Sequence, residues 1–217
     1  MRKLLGLALC LVTLTSSAQL KLGINAGYQM AQFAVSGSNT SDYDLSAING
    51  YHFGFIADKS LSKKFYLNIE LAFNHKGGIV NKSLSSLTGT DYTMTLNYLQ
   101  LPITLNYKTS ITKTSKFILG GGFYAAYGLS GKITGTSYYN SITNVDDNIE
   151  FTDNSSNTNI NAVKPFDVGY VFATGIEWKK YQFKFNYNHG FSSIRPTGST
   201  KFENLNYGIS AAYLLPW

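Results

Sequence analysis

Charge is scarce in this 217-residue chain: Asp, Glu, Lys and Arg make up 14% of it, against ~25% in soluble domains. Tyrosine, phenylalanine, glycine, asparagine, serine and threonine fill the gap, a composition that favours strands and polar loops over helices. Cysteine is nearly absent. The single one, Cys10, lies inside an amino-terminal apolar run, so a chain cleaved after that run has no disulfide and no thiol nucleophile. Long apolar runs are missing too. No segment has the ~20 continuous apolar residues of a membrane-spanning helix, which excludes a helical membrane protein.

What is present begins with a leader. Arg2 and Lys3 precede the apolar stretch Leu4 to Leu14, and Ser16-Ser17-Ala18 places small residues where a signal peptidase cuts, so residues 1–18 are expected to be a secretory signal peptide. A lipoprotein reading of Leu7-Ala8-Leu9-Cys10 competes, but the apolar run continues past the cysteine. The remaining chain, 19–217, is of a length for one domain.

That chain alternates. The last thirteen residues put Leu205, Tyr207, Ile209, Ala211, Tyr213, Leu215 and Trp217 on one face, because successive side chains of a strand point to opposite sides. Seven earlier segments do the same. Examples are Leu20 to Met30, Tyr51 to Ala57, Phe65 to Phe73, Leu99 to Tyr107, Phe117 to Leu129, Val168 to Trp178 and Tyr181 to Tyr187. None of these apolar faces carries an acid or a base, and the opposite faces are small or neutral polar with isolated charges at Lys21, Glu70, Asp167, Glu177 and Lys184. Such a pattern suits a face turned to lipid and a packed polar lumen. A soluble barrel would reverse it, with a charged exterior. The expected fold is therefore an eight-stranded, closed, antiparallel, up-and-down transmembrane β-barrel in a bacterial outer membrane.

Connections are expected to alternate in length. Short ones near 58–63, 108–116 and 178–181 face the periplasm, and long ones near 34–49, 75–91, 130–165 and 189–203 face the exterior. Aromatic residues cluster at strand ends. Tyr107, Trp178, Tyr181 and Trp217 belong to one interfacial girdle, and Tyr213 with Trp217 forms the carboxy-terminal signal that the barrel-assembly machinery would read. In the fourth segment Tyr92, Met94 and Leu96 are even-numbered whereas the apolar set from Leu99 on is odd. With Pro102 just beyond, this predicts a β-bulge in that strand between Tyr98 and Leu99.

At this point the sequence Asn97-Tyr98-Leu99-Gln100-Leu101-Pro102-Ile103-Thr104-Leu105-Asn106-Tyr107-Lys108 resembles the Tyr-Leu-x-x-Pro-Leu-x-x-x-Tyr stretch of the small outer-membrane β-barrels that include PorT-like proteins. Lys21 to Gly27 is similar to that family's first strand. The resemblance implies eight antiparallel strands and an outer-membrane location, with some relatives linked to protein secretion, and it transfers no catalytic residue. The Pro216-Trp217 ending departs from the family's usual close on an aromatic after a non-proline residue.

The lumen charges need partners in a poorly hydrated interior, so Lys184 is expected to pair with Glu70 or Glu177. Eight strands leave an interior just wide enough for side chains, and no open diffusion pore is expected. Lys59, Lys63, Lys64, Lys108, Lys113, Lys116, Lys179 and Lys180 against Asp58 give the short turns a net +7, a basic ring whose expected partner is anionic lipid, not nucleic acid. Neutralising four of these lysines is expected to weaken retention in anionic bilayers.

His52, His75 and His189 raise the question of a rim hydrolase acting on lipid or peptide, with Asp91, Ser192 or Ser193 as partners. No catalytic motif surrounds them, so the expectation is no enzyme, no cofactor and no metal site. Gly120-Gly121-Gly122 lies within an alternating strand and is expected to make room for lumen side chains such as Tyr66 or Tyr124. The function read from the residues is structural or binding, through loops 34–49 and 130–165. The Tyr-, Asn- and Ser-rich stretch 137–161 offers contact to a protein or a surface glycan, or else shields the barrel as a mobile loop. An accessory role in protein secretion is the main alternative.

Overall fold

The computed structural model describes residues 20–38, 40–85, 88–139 and 141–215. The leader, Pro216 and Trp217 lie outside them. Eight long strands form the wall: β1 (Leu20–Gly37), β2 (Ile48–Ser60), β3 (Phe65–Ser85), β4 (Thr88–Ser110), β5 (Ser115–Tyr139), β6 (Phe166–Trp178), β7 (Tyr181–Gly190) and β8 (Thr200–Leu214). Each pairs antiparallel with its sequence neighbours. The ring closes where β8 lies against β1, from Gly23 opposite Leu214 to Gly37 opposite Thr200. This is a closed, up-and-down, eight-stranded β-barrel, which leaves no free edge in the wall.

One end carries tight turns. In the β2–β3 turn the Ser62 hydroxyl accepts from the Phe65 amide at 3.1 Å, and in the β4–β5 turn Thr112 accepts from the Ser115 amide at the same 3.1 Å. Both turns therefore use a hydroxyl to satisfy an amide that the ladder has not yet taken up. The β6–β7 turn holds only Lys179 and Lys180 between the paired Trp178 and Tyr181, with Lys179 left-handed at φ 55°, as the twist of a two-residue hairpin requires.

The other end extends further than the alternation suggested. The stretch 75–91 was expected to be a loop, yet β3 and β4 run on to Ser85 and from Thr88. Likewise β5 runs to Tyr139 and pairs with an added strand, Ile142–Asn148. The reason is a reversal of polarity along the strands. On β4 the inward face reads Lys108, Asn106, Thr104 and Gln100, then Tyr98, Leu96, Met94 and Tyr92, all buried. On β1 it reads Asn25 and Gln29, then Ala31 and Phe33. On β8 it reads Ser210, Asn206 and Asn204, then Phe202. Where lipid surrounds the wall, apolar groups face out and polar groups in. Beyond the head groups water surrounds it, and burial of apolar surface turns the pattern inside out.

This corrects the expected slip in β4. Its even-numbered residues point inward from end to end, and only their chemistry changes. A register shift does occur opposite Asn97 and Tyr98, but the extra residue is Leu129 on β5, because Asn97 faces Ser130 and Tyr98 faces Gly128. The bulge thus belongs to the neighbouring strand, and it turns Ile133 inward although Tyr124 and Ala126 had been the inward set. Pro102 has its own effect. Pairing of β3 with β4 is interrupted between Ile69 opposite Ile103 and Ala72 opposite Gln100 without change of register, as a residue with no N–H dictates.

Candidate functional site

The barrel interior is built in storeys, and near the tight turns Lys108 sets the first. Its Nζ lies 2.6 Å from Asp58 Oδ2 and 2.6 Å from Glu177 Oε2, above the Tyr66 ring at 4.3 Å. Gln182 donates to Glu177 at 3.1 Å and Asn68 to Asp58 at 3.3 Å, while Lys21 reaches the other Glu177 oxygen at 3.5 Å. Lys116 turns inward to the Tyr66 hydroxyl at 3.1 Å.

At mid-height Lys184 Nζ lies 2.7 Å from Glu70 Oε1, and Asn25 donates to the second Glu70 oxygen at 2.9 Å. Glu177 is engaged below and is not a partner of Lys184. Above them Gln29, Asn74, Gln100 and Asn206 pass hydrogen bonds across the lumen. His52 faces inward here and lines, with Glu70 and Lys184, a cavity of about 40 Å³, room for little more than water. Higher again, Lys76 Nζ lies 2.8 Å from Asp167 Oδ2, which also accepts from the Tyr124 hydroxyl at 3.0 Å and Asn204 at 2.9 Å. The Tyr98 and Tyr124 rings flank that ammonium at 4.6 and 4.9 Å.

Above this pair the interior becomes apolar: Phe33, Leu96, Tyr98, Ile133, Val163 and Phe202 pack as one cluster. Segment 149–165 folds over the opening. The Ile149 amide donates to Gly131, Gly128 donates to Pro165, and Glu150–Phe151 pairs with Ala162–Val163. A Cβ on Gly128 would sit 2.1 Å from the Phe151 ring, so that glycine seats the cap. The glycine triplet of β5 makes room differently from expectation. Gly120 clears the Asn106 side chain and Gly122 the backbone of Ile103, while the space for Tyr124 comes from Gly169 on β6.

Asp58, Lys76 and Lys108 escaped the sequence reading as lumen charges because they sit next to connections. Their parity carries the signal: Lys108 follows Thr104 and Asn106, Lys76 follows Asn74, and Asp58 follows His52. The expected basic ring loses Lys108 and Asp58 to the interior, and Lys116 leans after them. Lys59, Lys63, Lys64, Lys113, Lys179 and Lys180 remain at the tight-turn end.

On the outer face at that end Trp178 stacks with Tyr181 at 6.1 Å, Tyr181 meets Tyr213 at 5.3 Å, and Tyr107 meets Phe65 at 5.6 Å. His75 and His189 also face outward, at the opposite boundary. The first stacks on Tyr51 with Nδ1 2.7 Å from Asn97 Oδ1. The second has Nδ1 2.7 Å from the Tyr170 hydroxyl and Nε2 3.4 Å from Glu203. The nearby serines are engaged elsewhere, Ser192 with the Val168 amide and Asp167, and Ser193 with the Arg195 and Phe202 amides. Among the described residues no three acid, histidine or cysteine side chains are placed to hold a metal ion.

Solved structures of outer-membrane proteins align with the chain. The outer membrane protein OprG from Pseudomonas aeruginosa aligns with a TM-score of 0.50 at 11% identity, over 91% of this chain and 96% of that one. Neisserial surface protein A aligns at 0.43 and 10% identity, over 91% and 99% of the two chains. Ail, the attachment invasion locus protein of Yersinia pestis, aligns at 0.41 and 9% identity, over 90% and 98%. No curated protein matches the sequence. The model of the outer membrane protein beta-barrel domain matches residues 15–195, and the chain, whose eight strands close into a ring, belongs to that family of bacterial outer-membrane barrels.

Proposed function

We propose that this barrel is a non-enzymatic surface protein that seals its own lumen and binds a partner polypeptide at the long-loop end. One observation carries the reading. The strand Ile142–Asn148 pairs along one side with residues 132–138 of β5 and, among the described residues, has no strand on its other side. All of it but Val145 is exposed, with Ile142 70% accessible. An open edge held clear of the membrane takes an extended segment by strand addition, main chain to main chain. Asp146 and Asp147 beside that edge keep it from pairing indiscriminately.

The non-enzymatic part of the reading is supported by the engagement of the two outward histidines with Asn97, Tyr51, Tyr170, Tyr187 and Glu203. Closure is supported by the three ion-paired storeys and the cap. The purified protein in planar bilayers is therefore expected to give no steady ionic step, and an ohmic step at both polarities would overturn the sealed lumen. For the edge, a photo-crosslinking residue placed at Asn144 in intact cells is expected to yield discrete protein adducts. Proline at both Thr143 and Asn144 takes main-chain donors from the open edge and leaves Ile133 and Ile149 in place, and adducts from a probe moved to Asp147 should then vanish. Equal adducts in both forms would sink the proposal.

The same reading assigns the tight-turn lysines to anionic head groups and Tyr213 to recognition by the assembly machinery. Cleavage of the leader would leave Gln19 as the amino terminus, a point that mass spectrometry of the membrane-inserted protein decides.

A further inference from the structure

We propose that the apolar cap contains a binding site for a single-chain anionic amphiphile, a medium-chain alkanoate. This site is distinct from the projecting edge. Above the Lys76–Asp167 pair lies a cavity of about 290 Å³, near the lower end of the ~300–1,000 Å³ of ligand pockets. Its deep walls are Phe33, Tyr92, Met94, Ile133, Val163 and Phe202, all buried. An apolar hollow of this kind takes a hydrocarbon group in preference to water.

Two cations also line it, Lys82 and Arg195. They sit at the ends of an aromatic row: Lys82 Nζ lies 4.9 Å over the Tyr43 ring, Tyr43 meets Phe202 edge-on at 5.2 Å, and the Arg195 guanidinium lies 5.8 Å over Phe202. Elsewhere in the interior each fully buried lysine touches a carboxylate. Lys82 and Arg195 are only half-buried and, among the described residues, have no acid within ion-pair distance. Two cations without counter-charge at an apolar cavity fit a ligand with an anionic head and one apolar tail. The volume admits one chain and excludes a diacyl lipid.

The test uses the full barrel in nanodiscs and alkanoates of six to fourteen carbons labelled with carbon-13 at the carboxyl, read by NMR against empty discs. A bounded cavity predicts that affinity rises about fourfold per methylene and then stops rising once the cavity is full, whereas partition into lipid continues to climb. Met94→Trp fills the cavity and is expected to remove the saturable component. Ile133→Phe serves the same purpose should the first variant lose its fold by circular dichroism. Lys82→Gln with Arg195→Gln is expected to weaken the alkanoate at least tenfold while leaving the alkanol of equal length unchanged. Three results would each overturn the assignment: no saturable signal above empty discs, no plateau with chain length, or equal loss of alkanoate and alkanol in the double variant.

Discussion

Replacing Lys108 with methionine is expected to destabilise the barrel by about 3–5 kcal/mol, the range for breaking a buried ion pair from one side. The substitution keeps an unbranched side chain, one atom shorter, but leaves Asp58 and Glu177 facing each other without the ammonium that now bridges them at 2.6 Å on either hand. Lys108 and Asp58 have no solvent-accessible side-chain surface and Glu177 has 4%, so water cannot replace the lost partner. Urea unfolding in lipid vesicles, followed by tryptophan fluorescence and gel mobility without boiling, measures the loss. Combining Lys108→Met with Asp58→Asn and Glu177→Gln is expected to recover most of it, since the desolvated charges disappear together. A single variant as stable as the parent would mean that the first storey is wet.

Phe55→Arg is expected to cost about 2–4 kcal/mol in a bilayer, as basic residues do on the lipid face of a barrel near the midplane. Phe55 is 70% accessible in the bare protein and stands between Ile24 on β1 and Leu71 on β3, an apolar neighbourhood that only lipid can cover. The informative companion is Thr93→Arg on β4. Thr93 shares the outward face of that strand with Leu101 and Ile103, but it lies beyond the reversal of polarity, where water is the neighbour. Its replacement is expected to change stability by no more than about 0.5 kcal/mol. Unfolding midpoints in vesicles of the two variants and the parent decide the matter, and equal costs would show that the lipid belt has been drawn at the wrong height.

That reversal explains most of what the alternation misplaced. Within the belt, period two and the absence of charge among Phe65, Leu67, Ile69, Leu71 and Phe73 leave one arrangement, because lipid accepts nothing else on that face. Above the belt the same period persists with its sign changed. Tyr92, Met94, Leu96 and Tyr98 then look like a slip of register although the strand is continuous. Stretch 75–91 looks like a loop because it is poor in apolar residues and, above the belt, Val80 turns to the inner face, opposite the inward Tyr92. The cap at 149–165 carries no period at all, and its burial depends on Gly128 and Gly131 of β5 arriving beneath Phe151 and Ile149.

The lumen divides similarly. Glu70, Glu177 and Lys184 were legible as inward charges because each interrupts a neutral polar face inside a clear strand. Asp58, Lys76 and Lys108 have the same parity but lie where strand and connection are hard to separate. The tertiary structure alone selects partners, since Lys184 meets Glu70 across 114 residues of sequence and Lys108 meets Glu177 across 69, distances at which ring closure, not spacing, sets who is adjacent. Alternation and composition were enough to establish that eight strands of this chain face lipid, because the lipid face is a local demand on every second residue. Which charges pair, where the bulge falls and how an apolar cavity with two cations forms beneath the cap depend on residues brought together from different strands, and no local pattern encodes those meetings.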